Sequence, residues 1–141
     1  MIRVAGPEDA PEIARLLEQL GYPASEEQAR ARLTTVAENA DGMALVAERD
    51  GRVVGLVGLH LLPFLERDGR WCRVTALVVD EALRGKGIGR ELIEEAERVA
   101  REKDCRCVEV SSGPRRADAH GFYERLGYEE RRRRFQKWLD D

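Results

Sequence analysis

Two hydrophobic periods alternate along the chain, and the points where they switch outline the fold. Ile2 to Ala5 reads as a short strand. Ile13, Leu16, Leu17 and Leu20 then recur at helical spacing behind Asp9 and Glu12, which stand at capping-box separation, and Gly21 stops that helix. Ser25 and Gln28 repeat the capping pattern and open a second helix with Ala29, Leu33 and Val36 on its apolar side. The turn Leu20-Gly21-Tyr22-Pro23 links the two. Met43 to Arg49 and Val53 to Leu62 are apolar, branched runs parted by Asp50-Gly51-Arg52, a hairpin signal. Gly55 and Gly58 interrupt the second run, where glycine points to a bulge or to close approach by another element. Pro63 to Arg70 reads as a loop and Trp71 to Val79 as a third long strand.

The helical period returns after Gly89. Ile88, Leu92, Ile93, Ala96, Val99 and Ala100 form one apolar stripe, with Glu91, Glu94, Glu95, Arg98 and Glu102 facing water. Arg106 to Ser111 is a strand, and the crossover before it has the length a parallel pairing needs. Ala117 to Leu126 reads as a short helix capped by Gly127, and Tyr128 to Leu139 as a final strand or hairpin. This order predicts a mixed α/β domain: an antiparallel half followed by a βαβ unit. No repeat or linker divides it, and 141 residues fit one domain over 1–141.

Composition narrows the class. With 43% hydrophobic and 36% charged residues, the chain can build a core under a heavily solvated surface. A formal net charge of -3 gives no reason to expect nucleic-acid or membrane partners. No run approaches the roughly 20 apolar residues of a membrane helix, and the N-terminus lacks the apolar run of a signal peptide, so a cytoplasmic protein is expected. The 3 cysteines, Cys72, Cys105 and Cys107, are an odd count for a disulfide framework. Cys105 and Cys107 would share a strand face, but only His60 and His120 could join them as ligands, so no metal site is expected.

The segment Leu77-Val78-Val79-Asp80-Glu81-Ala82-Leu83-Arg84-Gly85-Lys86-Gly87-Ile88-Gly89-Arg90 carries the most chemistry. A buried strand ends, a basic glycine loop follows, and a helix begins. Helix N-termini expose unpaired N–H groups with partial positive charge and bind phosphate. Glycines let the backbone approach an anion, and Arg84, Lys86 and Arg90 add charge. The spacing matches neither the dinucleotide G-x-G-x-x-G nor the Walker loop.

The spacing that is present, Arg-x-x-Gly-x-Gly from Arg84 to Gly89, resembles the coenzyme A pyrophosphate loop of the GNAT acetyltransferases. A second motif, Ala119-His120-Gly121-Phe122-Tyr123-Glu124-Arg125-Leu126-Gly127-Tyr128, is similar to the late helix of that family. The resemblance covers nearly the whole chain. It implies the GNAT acyl-CoA N-acyltransferase fold: a mostly antiparallel central sheet with one parallel strand pair and roughly four helices. It implies an N-acetyltransferase that uses acetyl-CoA as cosubstrate, without a metal, and transfers acetyl directly to the amine of a small molecule or peptide in a ternary complex. Backbone groups of Leu77 and Val79 would pair with the pantetheine arm, the amides from Arg84 through Gly85, Lys86, Gly87, Ile88 and Gly89 to Arg90 would hold the pyrophosphate, and an N–H near Val78 or Val79 would serve the oxyanion. Tyr123 would sit near the coenzyme sulfur. Arg116 departs from the pattern, standing where many members carry an Asn that contacts the coenzyme. A homodimer through the C-terminal strands is an open option by family analogy.

Tyr123 is the candidate acid, since a phenol of pKa about 10 is protonated at neutral pH and can give its proton to a leaving thiolate. It also shares helical spacing with Ala119, Phe122 and Leu126, so a core role competes. The base is open: His60 has a suitable ordinary pKa, while Glu66 and Asp68 lie in a loop. Arg131 to Arg134 reads as a solvated edge strand, or as a site for an acidic group. Trp71, Trp138 and Tyr22 read as packing residues, or as the lining of a substrate pocket. The loops around Tyr22 and from Phe64 to Arg70 are expected to shape acceptor choice. A non-catalytic coenzyme A sensor and an unrelated nucleotide-binding domain are the competing readings.

Overall fold

The structure is a computed structural model, described here for residues 1–111, 117–131 and 135–140, with backbone only for 117–120. It contains two compact units, Met1–Ser111 and Ser112–Asp141. The first holds a sheet in the order β1(Ile2–Val4), β2(Gly42–Arg49), β3(Arg52–Pro63), β4(Arg70–Val79), β5(Cys105–Val110). Every pairing is antiparallel except β4 with β5, which is parallel. Helices α1(Ala10–Leu20) and α2(Glu26–Glu38) separate β1 from β2, and α3(Ile88–Glu102) makes the crossover from β4 to β5. In the second unit, α4(Ala117–Arg125) is followed by a turn.

Local chemistry explains most element ends. Asp50 and Gly51 both take positive φ, 52° and 77°, as a type I′ hairpin turn requires. Ser25 accepts from the Gln28 amide at 3.1 Å and the Gln28 side chain accepts from the Ser25 amide at 3.0 Å, so the predicted capping box of α2 is present. Asp9 behaves differently. It ends a short 3-10 turn, Pro7–Asp9, and makes no cap bond to α1. Its buried carboxylate instead accepts two bonds from the Arg3 guanidinium, at 2.8 and 2.9 Å, and one from the Gly6 amide at 2.8 Å. A carboxylate 5% exposed needs such partners more than a helix end needs a cap.

Each face of the sheet has its own helices. On one face Val46, Val53, Leu56 and Val78 join Ile13, Ala14 and Leu16 of α1 and Ala29 of α2 in one core. The other face packs against α3, whose predicted stripe of Ile88, Leu92, Ile93, Ala96, Val99 and Ala100 is buried throughout. Both interior glycines of β3 meet the prediction made for them. A Cβ on Gly55 would lie 2.9 Å from Leu92 Cδ1 and 3.2 Å from Ile88 Cγ2. A Cβ on Gly58 would lie 2.8 Å from Thr75 Oγ1, at the register shift where Thr75 is the extra residue of β4.

Three expectations are corrected. Among the described residues after Gly127, none is in a strand, so the final strand or hairpin over Tyr128 to Leu139 is not found there. Phe135, Trp138 and Leu139 are instead exposed. Cys105 and Cys107 do not share a face: a register shift pairs them with Arg70 and Trp71, adjacent β4 residues that point opposite ways. Tyr22 and Trp138 are exposed at 69% and 76% and are not packing residues.

The contact at Gly55 predicts that Gly55→Ala costs about 1–3 kcal/mol of stability, because the buried Leu92 and Ile88 methyls would have to shift within a packed core. Urea unfolding checks this, and an unchanged midpoint would show that α3 slides freely over β3.

Candidate active site

The glycine loop is fixed at its start by three elements. The Asp80 amide donates to the Val54 carbonyl at 2.8 Å, joining the loop to β3. The Asp80 carboxylate accepts from the Ala82 amide at 3.1 Å and from Arg15 of α1 at 2.8 Å. Arg15 also donates to the Val53 carbonyl at 3.1 Å and to Glu12 at 3.0 Å. The Gln19 side chain accepts from the Glu81 amide at 2.9 Å. The Ala82 amide, with Arg15 and Gln19 adding to it, holds the Asp80 carboxyl below its ordinary range against the opposing effect of burial.

Beyond Leu83 the loop turns outward. Gly85 and Gly87 take φ of 81° and 83°, in the left-handed region, and a Cβ on either would meet nothing within 4 Å. Glycine is required there by the backbone, and the space in front of it is open. Gly87 caps α3 without a side-chain bond, and Glu91 is the first amide to reach a helical carbonyl, that of Gly87 at 3.0 Å. The preceding amides of the helix start therefore point outward without helical partners. Ile88 is buried beneath them, Gly89 is half-buried, and Arg84, Gly85, Lys86 and Arg90 are exposed. The three cations are not equivalent. Arg90 is paired with Glu94 at 2.7 Å, Arg84 folds back toward the Val79 carbonyl at 3.4 Å, and Lys86 makes no ion pair among the described residues.

The loop continues an open strand edge. The β4–β5 ladder runs from Arg70↔Cys105 to Val74↔Val110 and stops, while β4 continues through Thr75 to Val79 with only β3 as its partner among the described residues. Leu77 and Val79 lie on this stretch and are half-buried, and the Val78 side chain is sealed into the core with α1. The bulge at Thr75 marks the fork where β5 leaves β4. Thr75 carries no mark of its own in the sequence; the signal for it is Gly58 in the facing strand.

Other candidates are scattered. His60 is half-buried on β3 opposite Arg73, and Glu66 and Asp68 are exposed. Burial pushes the Cys72 thiol up to about 11, helped by Cys105 and Cys107, and burial also raises those two. None offers an activated thiolate. In the second unit Tyr123 is half-buried on α4, with ring contacts to Phe122 at 5.1 Å and Tyr128 at 5.9 Å, and the chain turns at Gly127 with φ 91°. Arg116, the His120 side chain and Arg132 to Arg134 lie outside the described residues.

An outward-facing helix start thus continues a strand edge left unpaired beyond the fork, in a five-stranded sheet with one parallel pair, and comparison with known proteins gives the family of this fold. The family model for the acetyltransferase (GNAT) family matches residues 11–128, and the chain belongs to that family. It is 38% identical over 94 residues to an aminoalkylphosphonate N-acetyltransferase of Salmonella typhimurium, covering 67% of this chain and 61% of that protein. It is 36% identical over 123 residues to glucosamine 6-phosphate N-acetyltransferase 1 of Oryza sativa, covering 82% of this chain and 72% of that one. A crystal structure of a GNAT family acetyltransferase from Staphylococcus aureus superposes with a TM-score of 0.85 at 25% identity, covering 99% of this chain and 98% of that one.

The Asp80 contacts predict a pH effect of definite sign. A carboxyl held below its unfolded value contributes stability above that value and loses it as pH falls through the folded value. Asp80→Asn should therefore be less stable than the wild type near neutral pH, with the difference shrinking below about pH 4. Thermal melts across that range check it, and a difference constant down to pH 2 would remove the ionic contribution.

Proposed function

We propose that this chain is one acetyl-CoA-dependent N-acetyltransferase domain that transfers acetyl directly to a primary amine in a ternary complex. The observation that carries the reading is the continuity of the open glycine loop with the unpaired edge of β4. The amides of Arg84 to Arg90 would take the pyrophosphate, and Leu77 and Val79 would pair with the pantetheine arm as an added strand does. At about 3.3 Å per residue, the edge from Thr75 to Val79 is roughly 17 Å long, so an arm anchored at the loop delivers its thioester near the fork.

In the reaction the amine nitrogen attacks the thioester carbonyl carbon, the C–S bond breaks, and the proton lost by nitrogen is balanced by one gained at sulfur. With the thioester near the fork, roughly 10 Å along the edge from Val78, an edge N–H at the fork would meet the oxyanion in place of the one expected near Val78 or Val79, and Tyr123 would protonate the thiolate. Two of the relatives are N-acetyltransferases of an aminoalkylphosphonate and of glucosamine 6-phosphate, amines that carry a phosphorus oxyanion, which supports a small-molecule acceptor over a peptide. We place the enzyme in the cytosol; among the described residues no helix is long and apolar enough to cross a membrane.

Calorimetric titration should show selective micromolar binding of acetyl-CoA over ATP and NAD, and Gly87→Val should abolish it because a branched residue is strained at φ 83°. Equal binding of ATP would return the loop to the nucleotide-binding reading. Tyr123→Phe should lower kcat on the order of a hundredfold with coenzyme affinity intact. Unchanged kcat would remove the tyrosine from the chemistry, and coenzyme binding without turnover on any amine would favour a sensor.

A further inference from the structure

A row of polar side chains crosses the sheet at the fork. His60 of β3 and Glu109 of β5 are the register partners of Arg73 on β4. Residues paired in this way project from one face. Further along, that face carries Leu56 and Val78 into the core with α1 and α2. At the fork it stays open: His60 and Arg73 are half-exposed and Glu109 is exposed. The row lies immediately before Thr75, at the end of the open β4 edge.

Arg73 is held there by aromatic rings. Its guanidinium lies over the Trp71 ring, 5.7 Å from the centroid. Trp71 in turn stacks on Phe64, at 6.4 Å and 11° between planes. Arg67 lies over Phe64 at 5.2 Å, on the loop between β3 and β4. Among the described residues Arg73 makes no ion pair or hydrogen bond, whereas Arg3, Arg15, Arg49, Arg70, Arg90 and Arg98 each meet a carboxylate. Stacking fixes the plane of the guanidinium without using its N–H donors. A planar fork oriented in advance suits bidentate recognition of an oxyanion. Glu109 presents the opposite charge on the neighbouring strand and makes no ion pair of its own among the described residues.

We propose that Arg73 is the acceptor-binding residue for an oxyanion group, so that the acceptor is a small amine carrying a phosphoryl or carboxylate group. This rests on the coenzyme reading above, which brings the thioester to the fork. The oxyanion docks on Arg73 with His60 beside it. Glu109 faces the acceptor's ammonium before it is deprotonated, and the Trp71–Phe64 stack holds Arg73 in register with the thioester.

The test is calorimetric titration of the coenzyme A-loaded protein with O-phosphoethanolamine, β-alanine and ethanolamine, alongside an acetyl-CoA titration of each variant. O-phosphoethanolamine or β-alanine should bind at least about tenfold more tightly than ethanolamine, and the tighter of the two identifies the oxyanion. Arg73→Gln should bring the anionic amines down to the ethanolamine level, Arg73→Lys should recover part of the loss, and Trp71→Leu should fall between. Acetyl-CoA binding should be unchanged in all of them. Failure of both anionic amines to out-bind ethanolamine, or an Arg73→Gln variant that binds them normally, would overturn the assignment. Equal losses in Arg67→Gln and Arg73→Gln would also overturn it, because they would show diffuse charge attraction in place of a built site. Absence of acetyl-CoA binding in the wild type would instead bring down the coenzyme reading, and this proposal with it.

Discussion

The first turn of α3 rests on bare backbone. The Ile88 and Leu92 side chains lie over Gly55, where a Cβ would come within 2.9 Å of Leu92 Cδ1, so the helix start packs directly on the backbone of β3. Much follows from that seat. It fixes where the helix N-terminus points, and therefore where outward amides are offered. It also fixes the line of the crossover that returns the chain to β5. A larger residue at Gly55 would lift the helix start away from the strand edge that it continues.

The loop ahead of α3 is stiff at its base and free at its tip. Asp80 joins β3, α1 and the loop through its amide and its carboxylate, and the Arg15 guanidinium is shared between Asp80, Glu12 and the Val53 carbonyl. At Gly85 and Gly87 the backbone adopts conformations that only glycine takes without strain, and among the described residues nothing lies within 4 Å of where a Cβ would stand. An anion site needs this combination: donors held in place beforehand, with open space in front of them. A loop anchored less firmly would have to order itself at each binding event, at an entropic cost.

The sheet divides its labour along its length as well as between its faces. Where α1 and α2 cover it, Val46, Leu56 and Val78 make an apolar core. At the fork the same face carries His60, Arg73 and Glu109. The bulge at Thr75 lies between these regions. It adds a residue to β4, which keeps side chains on both sides of it in the correct face while the strand bends away from β5.

Much of this was legible in the sequence because it depends on neighbours along the chain. Helical spacing identified all of the buried stripe of α3, Asp50-Gly51 announced its hairpin, and the glycine loop announced a backbone that only glycine adopts easily ahead of a helix start, since positive φ and outward amides are local properties. Gly55 and Gly58 declared that something must come close, without saying what. That the partners were α3 and Thr75 was decided by tertiary packing. The role of Asp9 was decided the same way: burial next to Arg3 outweighed a local capping preference. A one-residue register shift, which no sequence pattern marks, moved Cys105 and Cys107 to opposite faces. The alignment of His60, Arg73 and Glu109 was likewise invisible, because it joins residues far apart in the chain through strand register. Sequence by itself determined most of the elements and the conformation of the glycine loop, which rest on short-range periodicity and backbone geometry. Only the tertiary structure decided which side chains share a face at the fork, because register is set by how whole strands and helices pack.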